Sequence, residues 1–198
     1  MATTFDAPAP TSMPDTRWRT RDIVVAAVIG VAFAVVFWAW GVVWYGPLAP
    51  LGALALPVRD LGYAVWLIPA VLAPLIIRKP GAALFAEMVA AGLSVLLGTP
   101  WGPDVLLSGF VQGVAAEVVF GFTLYRAWSF PVLAIAAVAS AAAAWIHDWV
   151  LYYPTIDPTI QVVRLVFMAI SAVVIVAGGS VALYRSLRTA GVLEGFPD

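Results

Sequence analysis

The stretch from Asp104 to Tyr125, DVLLSGFVQGVAAEVVFGFTLY, is apolar enough to lie in hydrocarbon, yet it carries Gln112 and Glu117 in its interior. A carboxylate in that setting needs a partner, a proton or a ligand. Glu87 poses the same problem in the preceding apolar stretch, and His147 and Asp148 stand together near the end of a later one. The chemistry these residue types offer is recognition: a carboxylate accepts hydrogen bonds from an amino group or pairs with a cation, and an amide adds a second polar contact. Glu117 lies about thirteen residues into its segment, roughly 20 Å from the segment's start if helical. Gln112 is five residues earlier and rotated by about 140°, so the two need not share one narrow face. Each has a plain structural alternative. Gln112 would form an interhelical hydrogen bond, Glu87 would pair with a backbone or lysine group at the cytoplasmic side, and Glu117 would be a protonated structural carboxyl.

Bond-breaking chemistry finds little support. The sequence contains no HExxH, GxSxG, phosphate-loop or DxD pattern, and it has no cysteine, which removes disulfides, thiolate metal sites and cysteine nucleophiles. His147 and Asp148 are adjacent and diverge by about 100° on a regular helix, an unconvincing metal pair. We therefore expect no enzyme, no metal site and no cofactor in this chain. Any ATP-driven process must draw on a separate ATPase.

The elements that position these residues follow from composition. Of 198 residues, 63% are hydrophobic and only 11% charged, and the mean hydropathy is +0.99. Soluble domains carry about 25% charged residues, so this chain lacks the charge to cover a soluble surface. The formal net charge of −1 argues against nucleic-acid binding. The fold expected is an all-α integral membrane protein of six transmembrane helices: Asp22 to Tyr45, Leu61 to Ile77, Gly81 to Leu97, Asp104 to Tyr125, Phe130 to Val150, and Ile160 to Tyr184. Pro47, Pro50 and Pro57 make residues 46–60 an irregular, partly re-entrant loop in which Arg59 and Asp60 are positioned to pair. Pro69 and Pro74 should bend the second helix. Residues 1–16 read as a disordered cytoplasmic tail, 17–188 as the membrane domain, and 189–198 as a short cytoplasmic tail.

Charge sets the orientation. With six crossings, Arg17, Arg19 and Arg21, then Arg78 and Lys79, then Arg126, then Arg185 and Arg188 all fall on one side. Positive residues concentrate on the cytoplasmic side, so both termini are expected there. Arg164, near the outer end of the last segment, would snorkel or point into a cavity. The opposite side gathers Trp38, Trp40, Trp44, Trp101, Trp145 and Trp149 with His147, Asp148 and Tyr152. An interfacial aromatic belt should be more symmetrical. The excess points to a ligand cavity with aromatic walls, open to the outside. Ala26, Gly30 and Ala34 place a small-residue stripe on the first helix, suited to close packing against either a neighbour or a partner protein.

Four stretches carry a resemblance to a known family: WRTRDIV at Trp18 to Val24, WAWGVVW at Trp38 to Trp44, GTPWGPD at Gly98 to Asp104, and SGFVQGVAAEVVF at Ser108 to Phe120. Together they resemble the substrate-binding (S) component of an energy-coupling factor vitamin transporter, most closely the YkoE-like group linked to thiamine or its hydroxymethylpyrimidine precursor. The resemblance spans nearly the whole chain beyond the N-terminal tail. It implies six membrane helices in the bacterial plasma membrane, an outward-facing pocket, and a complex with a transmembrane coupling (T) subunit and two cytoplasmic ATPases. It also implies that small residues of the first helix, here Ala26, Gly30 and Ala34, contact the coupling subunit. For a thiamine-like ligand the expected site is Glu117 as the deep carboxylate with Gln112 beside it. Trp40, Trp44, Trp101 and Trp145 are expected as stacking walls, His147, Asp148 and Tyr152 at the rim, and Glu87 as a further contact. An S component for another vitamin or small amine, or a scaffold subunit without transport, are the other readings.

Overall fold

The computed structural model describes residues 16–196, so the N-terminal tail lies outside the described residues apart from its last position. The described residues are helical or turn and contain no strand. Helix α1 is Thr20–Tyr45; α2, Ala49–Leu54, and α3, Leu56–Arg59, follow. A 3-10 stretch, Asp60–Leu67, leads into α4, Pro69–Ile77. Then come α5, Ala82–Leu96; α6, Asp104–Phe122; and α7, Phe130–Leu151. Helix α8, Pro158–Ser171, continues through a π-helical stretch, Ala172–Gly178, into α9, Gly179–Thr189. Grouped by continuity these make six apolar segments. Five are long and apolar enough to cross a membrane, and α5 is shorter.

Leu56–Ile77 is the hub. It is 78% buried, against 28–39% for the other four long segments. Every residue of α4 from Pro69 to Ile77 is buried. Around it α1 packs on α5, α5 on α6, α6 on α7, and α7 on the last segment. The outer faces of this ring expose valine, leucine, isoleucine and phenylalanine, as lipid-facing helices do.

Proline explains the departure inside the hub. Pro69 lacks an N–H and its ring crowds the carbonyl four residues earlier, so it starts α4 rather than continuing a helix from above. The chain before it winds as a 3-10 helix with three residues per turn, which stacks Asp60, Tyr63 and Trp66 along one face. The expected irregular loop at 46–60 contains α2 and α3. Arg59 and Asp60 do not pair with each other. Asp60 Oδ2 instead accepts from Arg164 Nε at 2.7 Å, and Arg164 also donates to Gln161 Oε1 at 2.9 Å. Arg164 is fully buried and neither snorkels nor reaches water.

The small-residue stripe of α1 is used inside the subunit. Ala26 and Ala34 are 0% and 1% exposed, and a Cβ on Gly30 would lie 2.6 Å from Val89 of α5. The stripe holds α1 against α5 within this subunit, the neighbour-packing alternative of the two that its spacing left open. Residues after α9 fold back as well: Leu193 is buried beside Ala26, Ile77 and Ala82, and Arg21 lies over the Phe196 ring. At that same end Trp18 Nε1 donates to the Pro80 carbonyl at 2.8 Å and Arg78 faces the Trp128 ring. The basic clusters of separate segments thus meet at one end of the bundle.

Candidate functional site

The opposite end contains a cavity of about 720 Å³ including its open mouth, within the range of small-molecule sites. Its lining draws on every segment except the last: Phe37, Trp44 and Tyr45 from α1; Arg59, Tyr63 and Trp66 from the hub; Glu87 and Ala91 from α5. Trp101, Asp104, Val105, Ser108, Gly109 and Gln112 come from the start of α6 and the turn before it, and His147, Asp148, Tyr152 and Tyr153 from the end of α7. Helical spacing accounts for the choice. Glu87 and Ala91 are four apart, as are Asp104, Ser108 and Gln112, so each set shares a face.

The walls are aromatic. Trp66 stands at the centre, edge-to-face with Trp44 at 4.9 Å, Tyr63 at 5.4 Å and Trp101 at 5.1 Å between ring centroids. Tyr45 lies 5.0 Å from Trp101. Edge-to-face packing is favourable for the ring quadrupoles and fixes the rings of this wall against one another.

The floor is polar. Glu87 is 0% exposed, and neither Oε1 nor Oε2 has a hydrogen bond of normal geometry, although the backbone N–H of Ala70 at the start of α4 is turned toward the carboxyl. A buried carboxyl without a partner is costly, typically by several kcal/mol for the charged form, and is kept where a ligand completes it. Beside it Gln112 Nε2 donates to Ser108 Oγ at 2.6 Å. Ser140 Oγ fixes the same turn by donating to the Gln112 carbonyl at 2.9 Å.

At the mouth a chain of hydrogen bonds joins three elements. Tyr152 donates to Asp104 Oδ2, and Asp104 Oδ1 lies 3.3 Å from His147 Nε2. His147 Nδ1 lies 3.0 Å from Asp148 Oδ1, which also accepts from Tyr63 at 3.3 Å. The imidazole is therefore held between two carboxylates, despite the divergence expected of adjacent residues. Burial pushes the Tyr152 phenol up, and acceptance by Asp104 adds to the shift, so this proton stays on Tyr152 at neutral pH. On the other wall Arg59 donates to the Tyr153 hydroxyl at 2.9 Å and faces the Trp44 ring at 4.5 Å. Burial likewise raises the Tyr153 phenol, against the opposing pull of Arg59 and Arg164. Arg164 lies 4.1 Å from the centre of the Tyr153 ring, so the buried Asp60–Arg164 pair props this wall.

Of the residues expected from sequence, the cavity gathers Glu87, Gln112, Trp44, Trp101, His147, Asp148 and Tyr152. It does not gather Glu117, Trp40 or Trp145. Glu117 Oε1 accepts from the backbone N–H of Ala83 at 2.7 Å and of Leu84 at 3.4 Å, and Oε2 accepts from the Tyr125 hydroxyl at 2.6 Å. It caps the first turn of α5, where a negative charge is favoured by the unpaired N–H groups and the helix dipole. The 140° rotation from Gln112 is the physical reason it faces away. Trp40 donates to the Gly62 carbonyl at 2.9 Å, and Trp145 to the Gln161 carbonyl, also at 2.9 Å. Both tie the bundle together. Sequence reasoning missed Tyr63 and Trp66 as site residues; their spacing of three from Asp60 was the available signal. Among the described residues no group of three or more His, Cys, Asp or Glu is arranged to hold a metal ion.

Comparison with known proteins agrees with this architecture. Residues 21–143 match the family model of the permease component of ABC-type cobalt transport systems. The chain is 38% identical to "Putative HMP/thiamine permease protein YkoE" of Bacillus subtilis (strain 168) over 90% of this chain and 88% of that protein. It also superposes on the crystal structure of an S component of an energy-coupling factor transporter with a TM-score of 0.84 and 37% identity, covering 90% of each chain. The chain belongs to the family of ABC-type cobalt transport permease components, and within it to the YkoE-like S components of energy-coupling factor transporters, multi-pass proteins of the plasma membrane.

Proposed function

We propose that this chain captures thiamine or its hydroxymethylpyrimidine precursor from the outer side of the membrane. It then delivers the ligand as one subunit of an ATP-driven importer. The observation that carries the reading is the buried Glu87 carboxyl, with no hydrogen bond of normal geometry, on the floor of a cavity walled by Trp44, Tyr63, Trp66 and Trp101. An aminopyrimidine is flat and stacks on such rings; its exocyclic amine donates to a carboxyl oxygen, and its ring nitrogen donates as well once protonated, or accepts from the carboxyl O–H. The relative named as an HMP/thiamine permease supports the same ligand class. Gln112 supplies the second polar contact. Glu117, Trp40 and Trp145 contribute through the packing that shapes the cavity.

The chain crosses the membrane six times, with α5 as the short crossing and both termini cytoplasmic. Support comes from the gathering of basic clusters at the end opposite the cavity. The chain itself holds no cofactor, and ATP is hydrolysed by two partner ATPases through a coupling T subunit. Because Ala26, Gly30 and Ala34 are packed against α5, the coupling subunit meets other surfaces of the bundle. The test is mass spectrometry of small molecules co-purifying with the protein, followed by fluorescence titration of the compound found. An aminopyrimidine that binds with saturable tryptophan quenching supports the reading. A protein that yields no such compound, and binds neither thiamine nor hydroxymethylpyrimidine, refutes it and leaves a scaffold role or another ligand.

A further inference from the structure

The end of the bundle opposite the cavity carries chemistry that ligand capture does not use. Arg78 closes α4 in the left-handed region, with φ 54° and ψ 39°. That position at a helix C-terminus ordinarily goes to glycine or asparagine, because a Cβ is crowded there. An arginine kept in that conformation has a use for its side chain. The side chain is half-buried, and its guanidinium carbon lies 5.7 Å from the centre of the Trp128 ring. Trp128 is itself stacked 5.1 Å from Phe120, which is fully buried.

A second guanidinium comes from α9. Arg188 Nη1 donates to the Tyr184 hydroxyl at 3.4 Å, and its guanidinium carbon lies 5.8 Å from the centre of the Tyr184 ring. Arg78 hydrogen-bonds the same phenol, so two cations from different elements meet there. Burial holds the Arg78 guanidinium below its ordinary pKa; Tyr184 opposes that shift and the neighbouring Arg188 charge adds to it. Both arginines stay charged at neutral pH, so they repel one another. An anion beside them replaces that repulsion with two attractions, and guanidinium forks match the oxygens of a phosphate.

The surroundings say which phosphate. Arg126 adds an exposed cation on the linker just before Trp128. Next to these cations the same elements expose apolar side chains, Phe122 and Leu124 around the end of α6 and Leu183 on α9. A free anion gains nothing from that apolar surface. A phospholipid uses both parts, its headgroup on the arginines and its chains along the apolar side chains. Basic pockets between helices at the cytoplasmic face of a membrane bind anionic headgroups in this way.

We propose that Arg78 and Arg188, with the Tyr184 hydroxyl and the Trp128 ring, form a binding site for the headgroup phosphate of an anionic phospholipid. The lipid belongs to the leaflet at this end of the bundle. The inference goes beyond the transport reading, which supplies only the name of that leaflet, the cytoplasmic one.

The test is titration of the purified full-length protein, in neutral detergent, with short-chain phosphatidylglycerol. Short-chain phosphatidylcholine and inorganic phosphate are parallel probes, and native mass spectrometry and Tm are the readouts. Phosphatidylglycerol binds saturably and raises Tm, and the other two bind far more weakly. Arg78→Gly removes the guanidinium and keeps the backbone, since glycine takes the left-handed region without strain. Its lipid-free Tm stays near the wild-type value, and it weakens phosphatidylglycerol binding about fivefold, the effect of one basic residue at an anionic lipid. Arg188→Gln does the same. Arg185→Gln removes an equal charge from an exposed position of α9 and leaves binding near wild type. Equal losses in all three variants show a diffuse basic surface and overturn the proposal. Phosphatidylcholine bound as tightly as phosphatidylglycerol overturns it as well, and so does equally tight inorganic phosphate, which would assign the site to a free anion. Unchanged lipid binding in Arg78→Gly and Arg188→Gln, with loss of co-purifying partner subunits, overturns it in favour of a protein interface.

Discussion

Glu117→Ala and Glu87→Gln should behave as opposites, although both remove a carboxylate from an apolar helix. Glu117 accepts one short backbone bond from Ala83 at 2.7 Å, one phenolic bond from Tyr125 at 2.6 Å, and a long contact from Leu84 at 3.4 Å. Hydrogen bonds to charged groups contribute about 1.5–3 kcal/mol each. A charge at a helix N-terminus adds about 0.3–1 kcal/mol. Counting the two short bonds near the lower limit, because Glu117 is only partly buried, Glu117→Ala should lose about 3 kcal/mol of stability. Its ligand Kd should change less than about threefold, since the side chain does not reach the cavity. Glu87 has only a weak contact from the Ala70 backbone N–H, which a Gln carbonyl can keep, so Glu87→Gln should leave Tm unchanged or raise it. It removes one charge-assisted contact to the ligand, about 1.5–3 kcal/mol, and should weaken binding about tenfold to a hundredfold. The assay pairs thermal unfolding of the detergent-solubilised protein with fluorescence titration on the same samples. Loss of binding in Glu117→Ala at unchanged Tm would refute the reasoning.

Three further outcomes follow from packing and charge. A Cβ on Gly113 would lie 2.8 Å from the backbone Cα of Leu84, so Gly113→Val should force α5 and α6 apart; thermal unfolding should show a lower Tm, and titration weaker binding because Glu87 moves with α5. Arg164→Met should destabilise by about 3–5 kcal/mol by leaving Asp60 buried without its partner, and adding Asp60→Leu should recover most of that loss in a double-mutant cycle. The Asp157 carboxylate, at the N-cap of α8, is held below the usual range by the backbone N–H of Thr159 at 2.8 Å. Its contribution is present above the unfolded-state pKa and lost as pH falls through the lower folded value, so the Tm gap between wild type and Asp157→Ala should be open at pH 7 and close on strong acidification.

The membrane class, the six apolar segments and the existence of an aromatic, acidic cavity were legible in the sequence, because composition and charge placement report on the solvent of a helix. Which side of each helix faced the cavity was not. Glu117 and Gln112 lie in one helix, yet their 140° separation sends one to the floor and the other to the first turn of α5, and only the neighbouring helices decide which. Trp40 and Trp44 are four apart on α1, yet Trp40 is drawn to the Gly62 carbonyl while Trp44 reaches the cavity. The Asp60–Arg164 pair joins residues 104 positions apart, beyond the reach of local pattern. Tyr63 and Trp66 were hidden by reading residues 61–77 as one bent α-helix. The 3-10 winding ahead of Pro69 is what aligns them. The Ala26–Gly30–Ala34 stripe packs on α5, but spacing alone left open whether it met a neighbouring helix or a partner protein.

The measurement that tests the central claim most directly is a crystal or cryo-EM structure of the purified protein saturated with thiamine. The account predicts the aminopyrimidine among Trp44, Trp66 and Trp101 with its amino group within hydrogen-bond distance of a Glu87 carboxyl oxygen, and Glu117 still capping α5. A ligand seated elsewhere, or one bound in this cavity with no hydrogen bond to the Glu87 carboxyl, would contradict it.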